Sequence, residues 1–512
     1  MNKLTKKILC IISIIMVAIL MQAILGSKQV RAEVKSGESK GMKWSLDTDT
    51  GVFSISGGVD TSLWFLEENK IDKKAIKTLK VAKDIDYFSV YITECPNLTT
   101  VELENEKTTC KSQALIHCDN LETVKHGNNF VEKYDKKTKT LTISGKGAFN
   151  SSFISYAGCI EFDNLKIEEG ITKLETKEGE FSSLFSNNTI ENVSLPSSLT
   201  LIDNNAFSGN GKLESIELPS KLEQIGNNAF SSCLKLKKIT IPNSVKEIGS
   251  GCFKDCKALE EVEFSTNLKK IPSNCFEGCE SLKELTIPKY IEEIELDFFK
   301  DCENLSKLNI ENGNIKTTGG AYYQPVPNLK ELKIGEIEYK FDRDNGILEI
   351  SGSKKITNTH SVIYIFGEQN VKTIKINEGV EELDNDCFDY YLSGVEKIEL
   401  PNSLKIIGSN CFNGAKKLKE IELSKNIEKI GRHSFDYCEE LTIKTEEGSV
   451  AYEYAKDNDI DVEVVKTSTL KSISGAMIGI IIGCAVAGIL FIVLIVVIII
   501  VVVKSKKKKQ TN

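Results

Sequence analysis

Leu236-x-x-Ile239-x-Ile241-Pro242-x-x-Val245-x-x-Ile248-Gly249-x-x-Cys252-Phe253-x-x-Cys256 is the stretch on which the fold turns. Apolar residues alternate across Ile239-Thr240-Ile241 at the spacing of a half-buried strand. Proline follows at once and, having no N–H to donate, ends a hydrogen-bonded ladder there. A second apolar step leads to Ile248-Gly249, and then to a small residue beside Phe253. The same order recurs every 23 residues: Pro196, Pro219 and Pro242 are 23 apart, and Ser265 and Pro288 continue the register. Ala206-Phe207, Ala229-Phe230 and Cys275-Phe276 repeat the small-Phe pair. After a gap the register returns at Glu378, Pro401 and Ser424, with Cys387-Phe388 and Cys411-Phe412. A unit this short cannot bury its own apolar face, so neighbouring units must stack into a solenoid, their strands pairing coil to coil in a parallel sheet.

These residues resemble the BspA-type, or treponemal-type, leucine-rich repeat, with strand, proline, Ile-Gly and small-Phe all in register. Gly448 to Asn458 is similar to that family's closing segment, and a cap is needed because an open last coil exposes its edge and core. A longer repeat lies over the short one. Trp44-x-x-Asp47-x-x-x-Gly51-x-x-x-Ile55-Ser56-Gly57 recurs as Tyr134-Asp135 with Leu141 to Gly145, and as Phe341-Asp342 with Gly346 to Gly352. An aromatic, an Asp-rich turn and an alternating strand predict a hairpin, and the resemblance implies that each opens a block of repeats. The expected fold is a β-rich leucine-rich-repeat solenoid of 23-residue coils with hairpin module starts and one C-terminal transmembrane helix. Its modules are a degenerate one at 33–129, a second at 130–337 and a third, with the cap, at 338–465. The resemblance is strong over 165–310 and 370–460, and weak before 130. The block between 210 and 290 has the most regular coils and is expected to carry the longest continuous sheet.

Both ends read as membrane signals. A basic start, an apolar run from Ile8 to Leu25 and Val30-Arg31-Ala32 make residues 1–32 a secretory signal. Ser472 to Val503 holds no charged residue, and Lys504, Lys506, Lys507, Lys508 and Lys509 follow it. The expectation is a linker at 466–472, a transmembrane helix at 473–503 and a cytosolic tail at 504–512, a type I single-pass protein of the plasma membrane with an extracellular ectodomain. Gly475, Gly479 and Gly483 lie on one helix face, a spacing that suits helix dimerisation.

The chain of 512 residues carries 65 basic and 73 acidic side chains. Ten of the basic ones sit at the two ends, which leaves 55 against 73 between them, a net of −18. Such a body is ill-suited to nucleic acid, which is held through clustered Lys and Arg. Cys233, Cys256, Cys279, Cys302 and Cys438 share one repeat position, and Cys252, Cys275, Cys387 and Cys411 another where Ala206 and Ala229 also stand. A place that takes Ala or Cys is a small buried site, so stacked core thiols are expected rather than metal ligands. Cys95, Cys110, Cys118 and Cys159 lie outside the strong register and are the candidates for bridges. His117, His126, His360 and His433 match no catalytic or metal pattern and are expected as lone surface residues. No cofactor or metal site is expected, and the protein is read as non-enzymatic.

Binding therefore falls to the outward strand positions: Ser215, Glu217, Lys238, Thr240, Glu261, Glu263, Glu284 and Thr286, and later Thr373, Lys375, Lys397, Glu399, Glu420 and Glu422. These are mixed and mostly acidic, with no aromatic among them, and favour a cationic partner. Tyr322-Tyr323-Gln324-Pro325-Val326-Pro327 is the one proline-rich insertion, either a contact loop or a join between modules. Asn97, Asn150, Asn187, Asn192 and Asn304 are glycan acceptors if the host is a eukaryote. The resemblance implies a cell-surface adhesin or recognition receptor for protein ligands, such as host matrix, host-cell or microbial proteins. The alternative is a structural surface coat whose ectodomains pack against each other.

Overall fold

The computed structural model describes residues 12–17, 33–58, 62–106, 108–110, 113–150, 160–176, 184–185, 190–318, 325–357, 360–367, 369–388 and 392–465. Residues 12–17 are helical, and among the described residues no helix is long and apolar enough to cross a membrane. The expected span at 473–503 with its three glycines, most of the expected leader, Cys159 and Asn187 lie outside them. Two compact units emerge: residues up to Gly352 with Ser361–Val371, and Ser353–His360 with Lys372 onward.

In the first unit Thr78–Val81, Thr100–Leu103 and Thr123–His126 pair in parallel, so that Leu79, Val101 and Val124 stack toward the core. They belong to a ladder of ten strands running from Val34–Ser39 to Asn192–Ser194, the longest among the described residues. The expectation for 210–290 is therefore corrected: residues 215–217 form no strand, and Lys238–Thr240 pairs with Glu261–Glu263 alone. Proline just past the strand does not by itself set the length: the coils around residues 78–126 lack it and pair over four residues, but Glu284–Ile287 also pairs over four ahead of Pro288, and Glu261–Glu263 over three ahead of Ser265.

The expected hairpins are present. Met42–Asp47 pairs antiparallel with Val52–Gly57, Phe130–Asp135 with Thr140–Ser144, and Ile337–Asp342 with Ile347–Ser351. One turn serves all three. Asp47 Oδ1 accepts from the N–H groups of Asp49 and Thr50, Asp135 Oδ1 from Lys137 and Thr138, and Asp342 Oδ1 from Asp344 and Asn345. Backbone donors at Thr50 and Lys137 hold the Asp47 and Asp135 carboxyls below the usual range, and Asn345 does the same for Asp342, chiefly through its side chain. The middle hairpin also shows how the sheet survives a module start. Phe130–Asp135 runs antiparallel to Thr123–His126 before it, and Thr140–Ser144 resumes the original direction against Asn164–Ile167.

The second apolar step is itself a ladder, which the sequence reading had not recognised. Gly147–Phe149, Ile171–Leu174, Leu201–Ile202, Gln224–Ile225 and Glu247–Ile248 pair in parallel, and Lys270–Ile271, Glu293–Glu295 and Lys316–Thr318 pair likewise. Gly226 and Gly249 follow these strands because the coils nearly touch: a Cβ at Gly249 would fall on the backbone of Gly226 and Asn227. Beside them Asn204 Oδ1 accepts from Asn227 N, and Asn227 Oδ1 from Ser250 N, at 2.7 and 2.8 Å.

The core between the ladders and the turns is an aromatic stack. Phe207, Phe230, Phe253 and Phe276 lie ring on ring, centroids 5.5, 5.6 and 5.8 Å apart and planes within 6° of parallel. All four are fully buried, each contributing about 1.5–3 kcal/mol from burial. The cysteines beside them do more than fill space. The thiols of Cys233, Cys256, Cys279 and Cys302 donate to the carbonyls of Phe207, Phe230, Phe253 and Phe276 at 3.4, 3.2, 3.3 and 3.1 Å. Cys95 and Cys118 fall on this same repeat position, not outside the register as expected, since each heads the Cys-x-x-Leu turn that Cys233 and Leu236 form.

In the second unit Phe388, Phe412 and Phe435 continue the pattern at 5.7 and 5.4 Å, and Tyr454 closes on Phe435 at 6.0 Å. Tyr454 belongs to the helix Val450–Asp457, whose N-cap Ser449 accepts from Tyr452 N, and Asp461–Val464 pairs parallel with Thr442–Thr445. Helix and strand together cover the last coil, as a cap requires.

Candidate protein-binding face

Alternation along each strand sends every second residue out of the core, and the eight expected positions, Ser215, Glu217, Lys238, Thr240, Glu261, Glu263, Glu284 and Thr286, are all exposed. Register then decides which of them meet. Lys238 lies opposite Glu261 and Thr240 opposite Glu263. Lys238 Nζ reaches Glu261 and Glu263 at 2.9 and 2.7 Å, and Thr240 Oγ1 donates to Glu263 at 2.9 Å. The hydrogen bond with Glu263 pushes the Lys238 ammonium up, and Lys238 in turn holds the Glu263 carboxyl low. Glu284 stands opposite Lys307, which pairs with Glu331 at 3.8 Å. Ser215 and Glu217 lie on a segment without strand pairing. The face thus pairs its acidic residues with lysines, where the sequence reading had taken it as mixed and mostly acidic.

The second unit repeats the arrangement. Thr373 and Lys375 lie opposite Lys397 and Glu399, and Glu422 opposite Lys444. Lys444 reaches Glu420 at 2.7 Å and Glu463 at 3.7 Å, and Lys397 reaches Glu399 at 2.6 Å. A cleft of about 410 Å³ opens here among Lys397, Glu399, Glu420, Glu422 and Lys444. Two more open on the corresponding face of the first unit. One, about 340 Å³, lies among Lys307, Asn309, Glu331, Lys333 and Lys340, and the other, about 260 Å³, among Lys43, Ser45, Ser54, Ser56 and Lys80.

On the second ladder Glu293 is held by Lys270 and Lys316 at 2.8 and 3.0 Å, which bring its carboxyl from the ordinary 4.5 down to about 2. A lowered folded value means that the stabilisation is complete above pH 4.5 and is lost as the pH falls toward about 2. An NMR titration of Glu293 should show a midpoint near 2; one near 4.5 would show that the bridge does not form in solution.

Several residues sit where the sequence had not placed them. His126 is buried, its Nε2 2.7 Å from Glu132 Oε1 and its ring edge-on to Phe149 at 6.0 Å. It is therefore not the surface histidine expected, whereas His433 is exposed and pairs with Asp436 at 2.8 Å. Of the proline-rich insertion, Tyr322, Tyr323 and Gln324 lie outside the described residues, and Val326 is buried, donating its N–H to Ile365 O and accepting from Arg343 Nη2. Trp64, 64% exposed beside Leu63, lies off the strand columns and outside the repeat period that would have flagged it. Asn97, Asn192 and Asn304 are exposed, and Asn150 is half-buried. Asn97 and Asn304 also have a structural role, donating to Lys74 O and Glu280 O of the coil before at 2.8 and 2.7 Å. Among the described residues no group of His, Cys, Asp and Glu is arranged to hold a metal ion.

The family model of the BspA-type leucine-rich repeat region matches residues 60–138, 139–260, 180–306, 246–361 and 338–452. The chain belongs to this family. The BspA-type match begins at residue 60, so the first module, expected to resemble the family only weakly, is part of it. Among solved structures, a leucine-rich repeat protein from Bacteroides ovatus is 19% identical, covering 66% of this chain and 99% of that one at a TM-score of 0.35. A leucine-rich cell surface protein from Faecalibacterium prausnitzii is 14% identical over 85% and 96%, at 0.33. The leucine-rich repeat protein of Treponema pallidum is 18% identical over 58% and 91%, at 0.25. No curated protein matches the chain. Solenoids of this kind are as a rule scaffolds for contact between proteins.

Proposed function

We propose that the chain is a single-pass cell-surface protein whose repeats bind protein ligands through the outward strand face, as an adhesin or recognition receptor. The observation that carries this reading is the face itself: exposed columns of Lys, Glu and Thr on rigid strands, opening into shallow clefts in each unit. Shallow clefts between charged strands suit an extended polar surface better than a small molecule, which is usually held in an enclosed apolar pocket. The anchor rests on the uncharged run from Ser472 to Val503 and the five lysines after it. Protease on intact cells should remove the repeats and spare that lysine tail. Exposed Asn97, Asn192 and Asn304 would carry glycans in a eukaryotic host.

The test presents the full-length protein on cells to immobilised matrix proteins, to other cells and to itself. Capture of a matrix or cell-surface protein supports the reading, and self-association alone would replace it with the structural coat. Reversing Glu217, Glu261, Glu263 and Glu284 to Lys should weaken the captured ligand by about tenfold, roughly 1.4 kcal/mol. Thermal unfolding should fall only modestly: Lys238 loses both carboxylates and new ammonium groups face Lys238 and Lys307, but all of these groups are exposed and screened by solvent. Unaltered affinity would place the contact off this face.

A further inference from the structure

Cys95 and Cys118 hold one repeat position in consecutive coils. Ile92 N donates to Ala114 O at 2.9 Å and Glu94 N to Ile116 O at 3.1 Å, a parallel register that sets Cys95 opposite Cys118. The same turn follows each, Leu98 N to Cys95 O and Leu121 N to Cys118 O. Coils paired in this way stand about 4.8 Å apart, inside the window of about 4.4–6.8 Å between Cα atoms that a disulfide needs. Cys233, Cys256, Cys279 and Cys302 meet that condition too; what separates the two sets is where the thiols point. Each of those four is committed to a Phe carbonyl in the coil before. Cys118 makes the equivalent bond to Ile92 O at 3.2 Å. Cys95 heads its column, and its thiol turns instead to Thr93 O at 3.6 Å, one residue along from the carbonyl that Cys118 uses. Of these six thiols, only that of Cys95 bonds within its own coil and not to the coil before.

We propose that Cys95 and Cys118 form a disulfide between adjacent coils when the chain folds in an oxidising medium, while the four cysteines of the later column stay as thiols. Of the two, Cys118 is the thiol suited to attack first. The neighbouring Cys95 thiol lowers that of Cys118, whereas Cys118 and burial raise that of Cys95, with the Lys73 ammonium working weakly toward the thiolate at each. Burial pushes the thiols of Cys233 and Cys302 up to about 12, so the contrast with the later column lies in Cys118 and not in Cys95. In the step, the Cys118 thiolate attacks one sulfur of a low-molecular-weight disulfide, R–S–S–R. That S–S bond breaks, and the departing thiolate takes up the proton that Cys118 gave. Cys95 then loses its proton, displaces the second thiolate from the Cys118 sulfur, and that thiolate leaves as RSH. Two cysteine thiols are oxidised to one disulfide and one R–S–S–R is reduced to two RSH. Both side chains are fully buried, so the exchange takes place before the coils close or during local opening.

The test refolds the full-length chain in oxidised and reduced glutathione, blocks remaining thiols with iodoacetamide in denaturant, and maps tryptic peptides by mass. The peptides carrying Cys95 and Cys118 should be recovered as one linked species, with Cys233, Cys256, Cys279 and Cys302 all alkylated. Alkylation of both Cys95 and Cys118 would overturn the proposal. So would linkage of either to Cys110, Cys159 or a column cysteine. Cys118→Ser, which keeps a donor for Ile92 O, should leave Cys95 fully alkylated; a Cys95 still protected in that variant has another partner and sinks the pairing.

Discussion

Phe253→Ala should destabilise the first unit by about 3–5 kcal/mol, the usual cost of emptying a core aromatic site. Phe253, like Phe230, has a parallel neighbour on both sides, Phe230 at 5.6 Å and Phe276 at 5.8 Å. Its removal opens a cavity that the backbone cannot close, because Phe253 N is tied to Cys275 O at 3.0 Å and Phe230 N to Cys252 O at 2.9 Å. Phe230→Ala and Phe276→Ala should act alike. Phe264→Ala should cost less, since that ring is 9% exposed and meets Phe276 only edge-on. Thermal unfolding of the full-length chain, with hydrogen exchange over residues 200–290, is the measurement. Unchanged protection in Phe253→Ala would mean that the aromatic does not occupy the stack.

His126→Ala should cost on the order of 4 kcal/mol, of which about 1–3 kcal/mol comes from leaving a buried carboxyl without this partner and the rest from the space the ring vacates. Glu132 lies on the strand that opens the middle hairpin, His126 at the end of the coil strand before it, and His126 is paired opposite Phe130. The bond between the two side chains therefore sits where the sheet reverses direction. Proteolysis should show the first cleavages moving into residues 120–150. His433→Ala is the comparison: His433 is exposed and pairs only with a nearby Asp on its own turn, so its loss should fall within about 0.5 kcal/mol. Equal sensitivity of the two variants would contradict the burial of His126.

The stacking was legible in the sequence because the repeat writes one physical requirement many times over. Ile239, Ile241, Val245, Ile248 and Phe253 each face the core, and the same types return one coil later. The hairpins were legible for a related reason: an Asp two residues before a backbone N–H, ahead of an alternating strand, is a local turn whose partners are close in sequence. The outward positions could likewise be named from alternation alone: the eight of the main block are exposed, whereas Thr373, Lys375 and Glu399 of the later block are half-buried.

Interactions between coils were decided only by the tertiary structure. Strands of two residues, such as Gln224–Ile225, show no alternation, so the second ladder exists only because neighbouring coils pair. Lys238 bridges Glu261 and Glu263 of the next coil, 23 and 25 residues away, and no charge count says which side chain reaches which. His126 looks like a surface residue in its own sequence neighbourhood, between Lys125 and Gly127, yet it is buried by Glu132 and Phe149, which arrive from the hairpin and the strand beyond. A 23-residue period reveals that coils stack and which residues face inward. The placement of one coil's donors against the next coil's acceptors depends on angles and heights that only the folded backbone sets.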